Sequence, residues 1–529
     1  MKLFQSFFKL LPYLAMGSLL LSCQVQDSAN KVRPFQLDEI TIPEIQQGYK
    51  DGSYSVRQIV QLYIDRIEEI DRNGPGLNAI ILVNPDALQI ADSLDQELAA
   101  GNSRGPMHGI PVILKDNIDT HDKMPTTAGS RILQDSHPLQ DSWVTRKLRE
   151  AGAVILAKAN LSEWANYRGS FSSSGWSGVG GQTNNPYVLD RNPCGSSAGS
   201  AVAVSANLCA VAVGTETWGS IMCPANANGV VGIKPTVGLW GRSGIVPISD
   251  TQDTAGPMTR TVTDAAILLG AVTGVDSSDE KTFASQGNSF TDYTQFLKED
   301  GLQGKRIAYL KTEEGTRHKV DTLMHRAVRF LKSQGAEVIE LEQLVEGDPW
   351  KNSREVLAFE FKDGLRKYFA RLGEDAPVTD LEGAIAATLA DSLEMLYFNL
   401  GRMENAQSKG DLESREYKKA VRDMLLAYRD DGIDQAMDDH NLDAIIAPTG
   451  GPAWKTDMLN GDNFVLSTSV NAALAGYPNI NVPMGFIGDV PVGISFFGRA
   501  WSEPVLIEIA YAYEQGTQHR KAPTFLLTD

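Results

Sequence analysis

The stretch PCGSSAGSAVAVSANLCAVAVGTETWGS, residues 193–220, contains the elements that decide the fold. A loop rich in glycine and serine opens it, and a helical pattern follows over residues 197–207. The apolar run Val211–Val213 is typical of a buried strand, and a second glycine-containing loop leads from Gly214 to Ser220. A helix that leads into a buried strand indicates an α/β fold, and glycine-rich loops bring backbone N–H groups close to a ligand.

The same alternation of helical and strand-like segments extends along the chain in both directions. Helical patterns occur over residues 85–100, 141–150 and 161–168. The strand-like runs are Ala79–Val83, Ile110–Leu114, Val154–Ala157, Arg306–Leu310, Glu337–Leu341, Leu442–Ala447, Asn479–Val482 and Pro491–Phe497. This pattern predicts an α/β fold with a large and mostly buried mixed sheet. Residues 280–440 are more helical and more charged, and we expect them to form an elaboration on that sheet.

The first residues have the composition of an export signal. Lys2 and Lys9 precede an apolar stretch over residues 10–21, which is too short to span a bilayer comfortably, and the small residue Ser22 follows it. We therefore expect residues 1–22 to be a signal peptide.

The end of that apolar stretch, Leu20-Leu21-Ser22-Cys23, resembles a bacterial lipoprotein cleavage box. The resemblance implies cleavage before Cys23 and lipidation of its thiol. We expect a lipidated tether over residues 23–36 and a folded domain over residues 37–529, in the bacterial cell envelope and facing the periplasm. The alternative is a plain signal peptide followed by an incidental cysteine.

Composition and charge argue against several kinds of partner and cofactor. The net charge is −18, and it becomes −20 without residues 1–22, which contribute two lysines and no acid. So acidic a protein has no attraction to phosphate backbones, and we expect no nucleic-acid partner. After Cys23 only Cys194, Cys209 and Cys223 remain, which is too few for a disulfide framework, although their redox state stays open. The seven histidines are scattered, so we expect no metal and no cofactor.

Three short segments contain the side chains that are suited to chemistry. In GIPVILKDN, residues 109–117, Lys115 ends an apolar strand-like run, where burial lowers the pKa of an ammonium group and a neutral lysine can act as a base. The alternative for this segment alone is a lysine paired with Asp116. The second and third segments are the loops of the opening stretch. A serine on such a loop can lie beside unpaired backbone N–H groups, which stabilise the oxyanion of acyl transfer.

The order and spacing of these segments resemble the amidase signature family. Its lysine lies in a K-D-N-type motif, its bridging serine in G-S-S-G-G-S, and its nucleophile 24 residues later in G-G-S-I. The matching positions are Lys115, Ser196 and Ser220. Phrases shared with the bacterial peptide amidases of this family include LSEWAN at 161–166, SGWS at 174–177, GTET at 214–217 and WSEP at 501–504. The likeness covers roughly residues 36–529, and it implies a large, twisted, mixed sheet covered by helices on both faces.

The resemblance also implies a site and a reaction. Neutral Lys115 would take a proton from Ser196, which relays one from Ser220, and Ser220 would attack an amide carbonyl. The oxyanion would face the backbone N–H groups of Thr217, Trp218, Gly219 and Ser220. Ser170 matches a substrate-lining position, and the peptide bond before Ser196 would be cis. The expected substrates are C-terminal peptide amides, with ammonia released and no obligate partner subunit; small aryl or fatty amides are the alternative.

Two features of the sequence bear on this interpretation. Trp218 occupies a position that is often glycine in the family, and we expect its indole to favour apolar or aromatic substrates. The residues GSSAG, 195–199, also fit the nucleophile elbow of α/β-hydrolases, which would make Ser197 the nucleophile.

Two further interpretations compete with a secreted amidase. One is a lipoprotein that binds amides without turnover, which the presence of all three catalytic residue types opposes. The second is an amidotransferase subunit acting on glutamyl-tRNA. The signal peptide and the acidic charge oppose the amidotransferase interpretation.

Overall fold

Strands form where the sequence has apolar runs, and most of them join one large sheet. The computed structural model describes residues 35–311, 314–345 and 350–528. The strands in these residues are β1 (Ile80–Val83), β2 (Pro111–Lys115), β3 (Val154–Ala159), β4 (Trp176–Ser177), β5 (Gly181–Gln182), β6 (Val211–Glu216), β7 (Val231–Lys234), β8 (Thr254–Thr259), β9 (Arg306–Leu310), β10 (Glu337–Leu341), β11 (Ala444–Pro448), β12 (Asn479–Ile487) and β13 (Val490–Phe497).

Helices occupy most of the segments between the strands. They are α1 (Ile42–Asp51), α2 (Val56–Arg66), α3 (Ala87–Ala99), α4 (Trp143–Glu150), α5 (Ala198–Ser205), α6 (Met222–Ala227), α7 (Val262–Ala271), α8 (His318–Ser333), α9 (Trp350–Leu372), α10 (Leu381–Ala390), α11 (Gly401–Gln407), α12 (Arg415–Leu425), α13 (Gln435–His440), α14 (Val470–Ala475) and α15 (Glu503–Thr517). Within the described residues, no helix is both long enough and apolar enough to cross a membrane.

Over the described part of the chain, the main sheet has eleven strands and is mixed, as predicted. Its order is β1-β3-β2-β6-β8-β7-β12-β13-β11-β9-β10, and β4 pairs separately with β5. Strands β3, β2 and β6 run parallel to one another, as do β11, β9 and β10, and antiparallel pairs join them through β8, β7, β12 and β13. Every residue of β2, β3, β6, β8 and β13 is buried. Because successive side chains point to opposite faces, both faces of the sheet centre are covered.

This sheet positions the site through the loops that follow two adjacent parallel strands. Lys115 is the last residue of β2, and the loop 217–221 follows β6, which pairs with β2 through Val112 and Val211. Carboxyl ends of parallel neighbours lie at the same edge of a sheet. The lysine and the loop are therefore close although about a hundred residues separate them.

Some expectations about individual elements were wrong. Residues 161–168 form a short 3₁₀ turn over Glu163–Asn166 rather than a helix, because Trp164 and Ala165 have left-handed backbone conformations with φ of 52°. The buried ion pairs of Arg168 with Glu163 and with Glu394 hold this turn. Strands β7 and β8 were not predicted. In β8, residues such as Gly256 and Pro257 are typical of loops.

Some residues near the predicted domain boundary and in the predicted elaboration can be located in the structure. Phe35, assigned from the sequence to the tether, packs against Tyr63 with ring centroids 5.7 Å apart and lies under the Arg66 guanidinium. Within 280–440, β9 and β10 extend the sheet itself, and helices α8 to α13 form the elaboration. The predicted signal peptide and Cys23 lie outside the described residues.

Candidate active site

Lys115 is fully buried and contacts two hydroxyl groups. Its Nζ lies 2.7 Å from Ser196 Oγ and 2.7 Å from Thr215 Oγ1, and it donates to the Thr215 carbonyl at 3.2 Å. The Asn117 amide donates to the same Thr215 hydroxyl at 3.0 Å. These contacts fix the amine at the end of β2 and aim it at Ser196. The alternative pairing with Asp116 is not observed, because Asp116 pairs with buried Lys158 at 3.3 Å.

Burial sets the charge state of this lysine. Loss of hydration lowers the pKa of Lys115 from 10.5 to about 7, although the carboxylates of Asp253 and Glu216 act in the opposite direction. Near neutral pH a large fraction of the amine is therefore uncharged and can accept a proton.

Ser196 lies on the loop that precedes α5. The peptide bond Gly195–Ser196 is cis, as the resemblance implied. The neighbouring Ser197 hydroxyl is fully buried and bonds with the backbone of Thr215, donating to its carbonyl at 3.0 Å. Ser197 N–H donates to the Ser220 carbonyl at 3.2 Å, which ties the two serine loops together. Ser197 therefore holds the loops rather than facing a ligand.

Ser220 lies on a tight turn after β6. Gly219 has φ of 71°, and a Cβ added there would lie 2.6 Å from Ser469 Oγ, so this position requires glycine. The Glu216 carboxylate accepts from the N–H groups of Ile221 and Met222 at 2.7 and 2.9 Å and so fixes the end of the turn. Ser220 keeps 8% of its surface exposed, which leaves its hydroxyl open to the adjacent cavity.

The backbone N–H groups of this turn are available to a ligand. Among the described residues, the N–H groups of Thr217, Trp218 and Ser220 donate to no protein acceptor. Burial raises the pKa of Glu216, and a hydrogen bond from the Gly219 N–H to this carboxylate acts in the opposite direction. The Thr217 hydroxyl donates to the Asp253 carboxylate and thereby stabilises the turn. The described residues show no direct hydrogen bond between the hydroxyls of Ser196 and Ser220.

A cavity of about 570 Å³ opens over Ser220. Its walls include Ser170, Trp218, Leu357, Arg402 and Phe464, together with the cysteines Cys194 and Cys223. Ser170, which the sequence suggested as a substrate-lining position, thus lies on the cavity wall. The mixture of apolar walls and a few polar groups is typical of small-molecule sites. Within the described residues, no group of three or more metal-binding side chains is arranged to hold an ion.

The indole of Trp218 forms a fixed part of the cavity wall. Its Nε1–H bonds to Gln252 Oε1 and to Ser353 Oγ, both at 2.9 Å. Its ring packs edge-on against Trp350 with centroids 4.8 Å apart. Since two hydrogen bonds and an aromatic contact hold the ring, it presents a rigid apolar surface beside the nucleophile turn.

Sequence reasoning missed three contributors to the site. Thr215 contacts Lys115 directly. Its position in the shared phrase GTET was the one feature of the sequence that could have identified it. Asp253 binds the nucleophile turn through Thr217. Cys194 and Cys223 form a disulfide with Cα atoms 5.9 Å apart, while Cys209 is free and buried. Both disulfide cysteines are near the two serines in sequence, but spacing alone does not show that they pair.

Comparisons with known proteins identify relatives of the whole chain. The Amidase family model matches residues 58–507. A probable amidase from Arabidopsis thaliana is 41% identical over 514 residues, and the alignment covers 94% of each chain. The structure of native peptide amidase from Stenotrophomonas maltophilia superposes with a TM-score of 0.89 at 46% identity, covering 93% of this chain and 100% of that one. The peptide amidase PAM in complex with the competitive inhibitor chymostatin gives a TM-score of 0.90 at 47% identity, covering 92% and 100%.

Family match, sheet architecture and site geometry thus lead to one assignment. The chain belongs to the amidase signature family and is an amidase, a hydrolase that acts on amide C–N bonds.

Proposed function

We propose that this amidase cleaves carboxamides through an acyl-enzyme on Ser220, with Ser196 and Lys115 completing the triad, and that it removes the amide from C-terminal peptide amides. The observation that carries the proposal is the buried Lys115 amine, 2.7 Å from Ser196 Oγ and one loop away from a serine that faces a cavity. The sequence of steps follows from these positions.

Proton transfer begins the reaction. With a pKa of about 7, Lys115 is uncharged in a substantial fraction of molecules near neutral pH. The neutral amine accepts the proton of Ser196, while Ser196 accepts the proton of Ser220 as that oxygen attacks the carbonyl carbon. We propose that the Ser220 side chain, which is open to the cavity, turns toward Ser196 when substrate binds. A tightening of catalytic hydrogen bonds in the complex is common for such sites.

The oxyanion and the leaving group are then stabilised. The unpaired N–H groups of Thr217, Trp218 and Ser220 point to an oxyanion site on the nucleophile turn, and one such donor is worth about 10²–10³ in rate. Protonated Lys115, again through Ser196, delivers its proton to the departing nitrogen, which leaves as ammonia. Water then attacks the acyl-enzyme by the same route in reverse.

The substrate class rests on similarity and on the size of the cavity. The solved structures that resemble this chain at 46–47% identity include peptide amidases. A cavity of about 570 Å³ accommodates more than a small primary amide. Ammonia release from a blocked tripeptide amide tests the proposal, with the same peptide bearing a free carboxylate as the control. Ammonia from the amide alone is expected, and no release across a panel of peptide, aryl and fatty amides would overturn it.

Trp218 should control which side chain the enzyme prefers beside the scissile amide. The Trp218→Asp variant replaces a rigid apolar wall with a carboxylate and removes the contact to Trp350. We expect kcat/KM for peptide amides ending in Phe or Leu to fall by about tenfold relative to those ending in Arg, because losing apolar contact in a pocket costs about 1–3 kcal/mol. An unchanged ratio of kcat/KM values would contradict this role. Trp218→Phe, which keeps the apolar ring, is the matched control.

We propose that the enzyme is exported and anchored by a lipid on Cys23. The support is the Leu20-Leu21-Ser22-Cys23 sequence and the basic start of the chain. Expression of the full chain in a bacterium with labelled palmitate should label the wild type and leave Cys23→Ser unlabelled and released from the membrane fraction. Equal labelling of both, or of neither, would rule out this anchor.

A further inference from the structure

The disulfide joins the two loops that carry the proposed catalytic serines. Cys194 lies two residues before Ser196, and Cys223 lies three residues after Ser220, in the first turn of α6. The bond therefore links the bridging-serine loop to the nucleophile turn through a short covalent path. Within the described residues, no second disulfide connects these loops.

The remaining connections between the loops are hydrogen bonds. Ser197 N–H donates to the Ser220 carbonyl at 3.2 Å. The Asn228 amide bridges the two sides by donating to the Pro193 carbonyl at 2.8 Å and to the Pro224 carbonyl at 2.7 Å. These bonds orient the loop backbones. Each can stretch or break, whereas the disulfide limits how far the loops move apart.

The disulfide is placed where a small molecule in the cavity can reach it. On one side the two cysteines belong to an apolar cluster with Tyr187, Val188 and Val490. On the other side Cys194 and Cys223 line the cavity beside Ser220, with 4% and 7% of their surface exposed. Cys209 is fully buried, and burial raises the pKa of its thiol to about 12, so it is a matched unreactive control.

We infer that the Cys194–Cys223 disulfide is a positioning element for the reaction, because it holds Ser220 within reach of Ser196, and that turnover depends on its being oxidised. The inference rests on the proposed function. The disulfide affects the geometry of proton transfer between the serines rather than the binding of substrate. A displacement of about 1 Å at a catalytic group can cost about 10²-fold in rate.

The redox step is an ordinary thiol–disulfide exchange with a small dithiol such as dithiothreitol. One thiolate of the reductant attacks a sulfur of the bond and forms a mixed disulfide, which its second thiol resolves. The reductant leaves as a cyclic disulfide, and two electrons and two protons remain on Cys194 and Cys223 as thiols. Reoxidation by oxidised glutathione reverses the change.

The experiment compares the oxidised and reduced full-length enzyme on a peptide amide. Mass spectrometry after alkylation counts the modified residues among Cys194, Cys209 and Cys223, and circular dichroism identifies a temperature at which both forms are folded. We expect kcat to fall at least about tenfold on reduction while KM changes less than about twofold. The rate of fluorophosphonate labelling of Ser220 should fall in parallel, and reoxidation should restore both.

Variants make the result specific. Cys209→Ser should keep the wild-type response to reductant, whereas Cys194→Ser/Cys223→Ser should have the low kcat of the reduced form and no further response. Full kcat with Cys194 and Cys223 alkylated, or a loss that appears only in KM, would overturn the inference. If the reduced form does not stay folded, the single variant Cys194→Ser replaces it in the test: a low kcat supports the inference, and full kcat overturns it. An oxidised enzyme that neither releases ammonia nor reacts with fluorophosphonate would instead refute the proposed function.

Discussion

Replacing Ser220 with alanine should lower kcat for a peptide amide by at least about 10⁴-fold and abolish covalent labelling by a fluorophosphonate. The reason is that the proposed acyl-enzyme forms on this hydroxyl, which is the one held on the turn after β6 and open to the cavity. The variant should fold normally, because the Ser220 hydroxyl bonds to no described group. Ammonia release and mass spectrometry of the labelled chain measure the two effects.

Ser197→Ala is the informative companion variant. In an α/β-hydrolase elbow Ser197 would be the nucleophile, but here its hydroxyl is buried against the Thr215 backbone. We expect Ser197→Ala to remain labelled at Ser220. Labelling that survives in Ser220→Ala and disappears in Ser197→Ala would reverse the assignment.

The second large effect is expected from Lys115→Met. Methionine keeps the length and apolar stem of the side chain but cannot accept a proton, so the relay to Ser196 is lost. Since a positioned general base contributes about 10²–10⁴-fold, kcat should fall by that range. Wild-type kcat should rise with pH through about 7, as Lys115 loses its proton, and level off above it. The variant should lack this dependence.

Stability supplies a readout of the same lysine that does not depend on activity. The pKa of Lys115 is about 7 in the folded protein and near 10.5 when hydrated. Between these values the unfolded chain holds the extra proton, so the free energy of unfolding should rise with pH across pH 7–10.5. Below pH 7 Lys115 is protonated in both the folded and the unfolded chain, so the stability gained from its lowered pKa is absent. The urea midpoint of the wild type should therefore rise relative to that of Lys115→Met as the pH rises.

The sequence predicted the strands of the sheet well where short strand-like runs alternate with helical patterns. The runs Arg306–Leu310 and Glu337–Leu341 are strands with the same ends, and the pattern over 85–100 became α3. The helix predicted over 161–168 failed because tertiary ion pairs of Arg168 determine the local backbone. Strand β8 was missed because pairing with β6 and β7 stabilises a segment whose own composition favours a loop.

The sequence pointed to Lys115, Ser196 and Ser220 as site residues, but it did not point to the groups that support them. Lys115 and Ser196 are in hydrogen-bond contact, and Ser220 faces the cavity. These residues come together only because the sheet pairs strands that are distant in the sequence. Thr215 and Asp253 carry no spacing signal of their own. The pairing of Cys194 with Cys223 also depends on the two serine loops being adjacent in space.

The pH dependence of fluorophosphonate labelling at Ser220 tests the central claim most directly, because it needs no knowledge of the natural substrate. If neutral Lys115 activates Ser220 through Ser196, the labelling rate of the wild type should rise through pH about 7. In Lys115→Met and in Ser196→Ala it should be slow and nearly independent of pH. Wild-type labelling that is flat over about pH 5–9, or the same rise in either variant, would contradict the account.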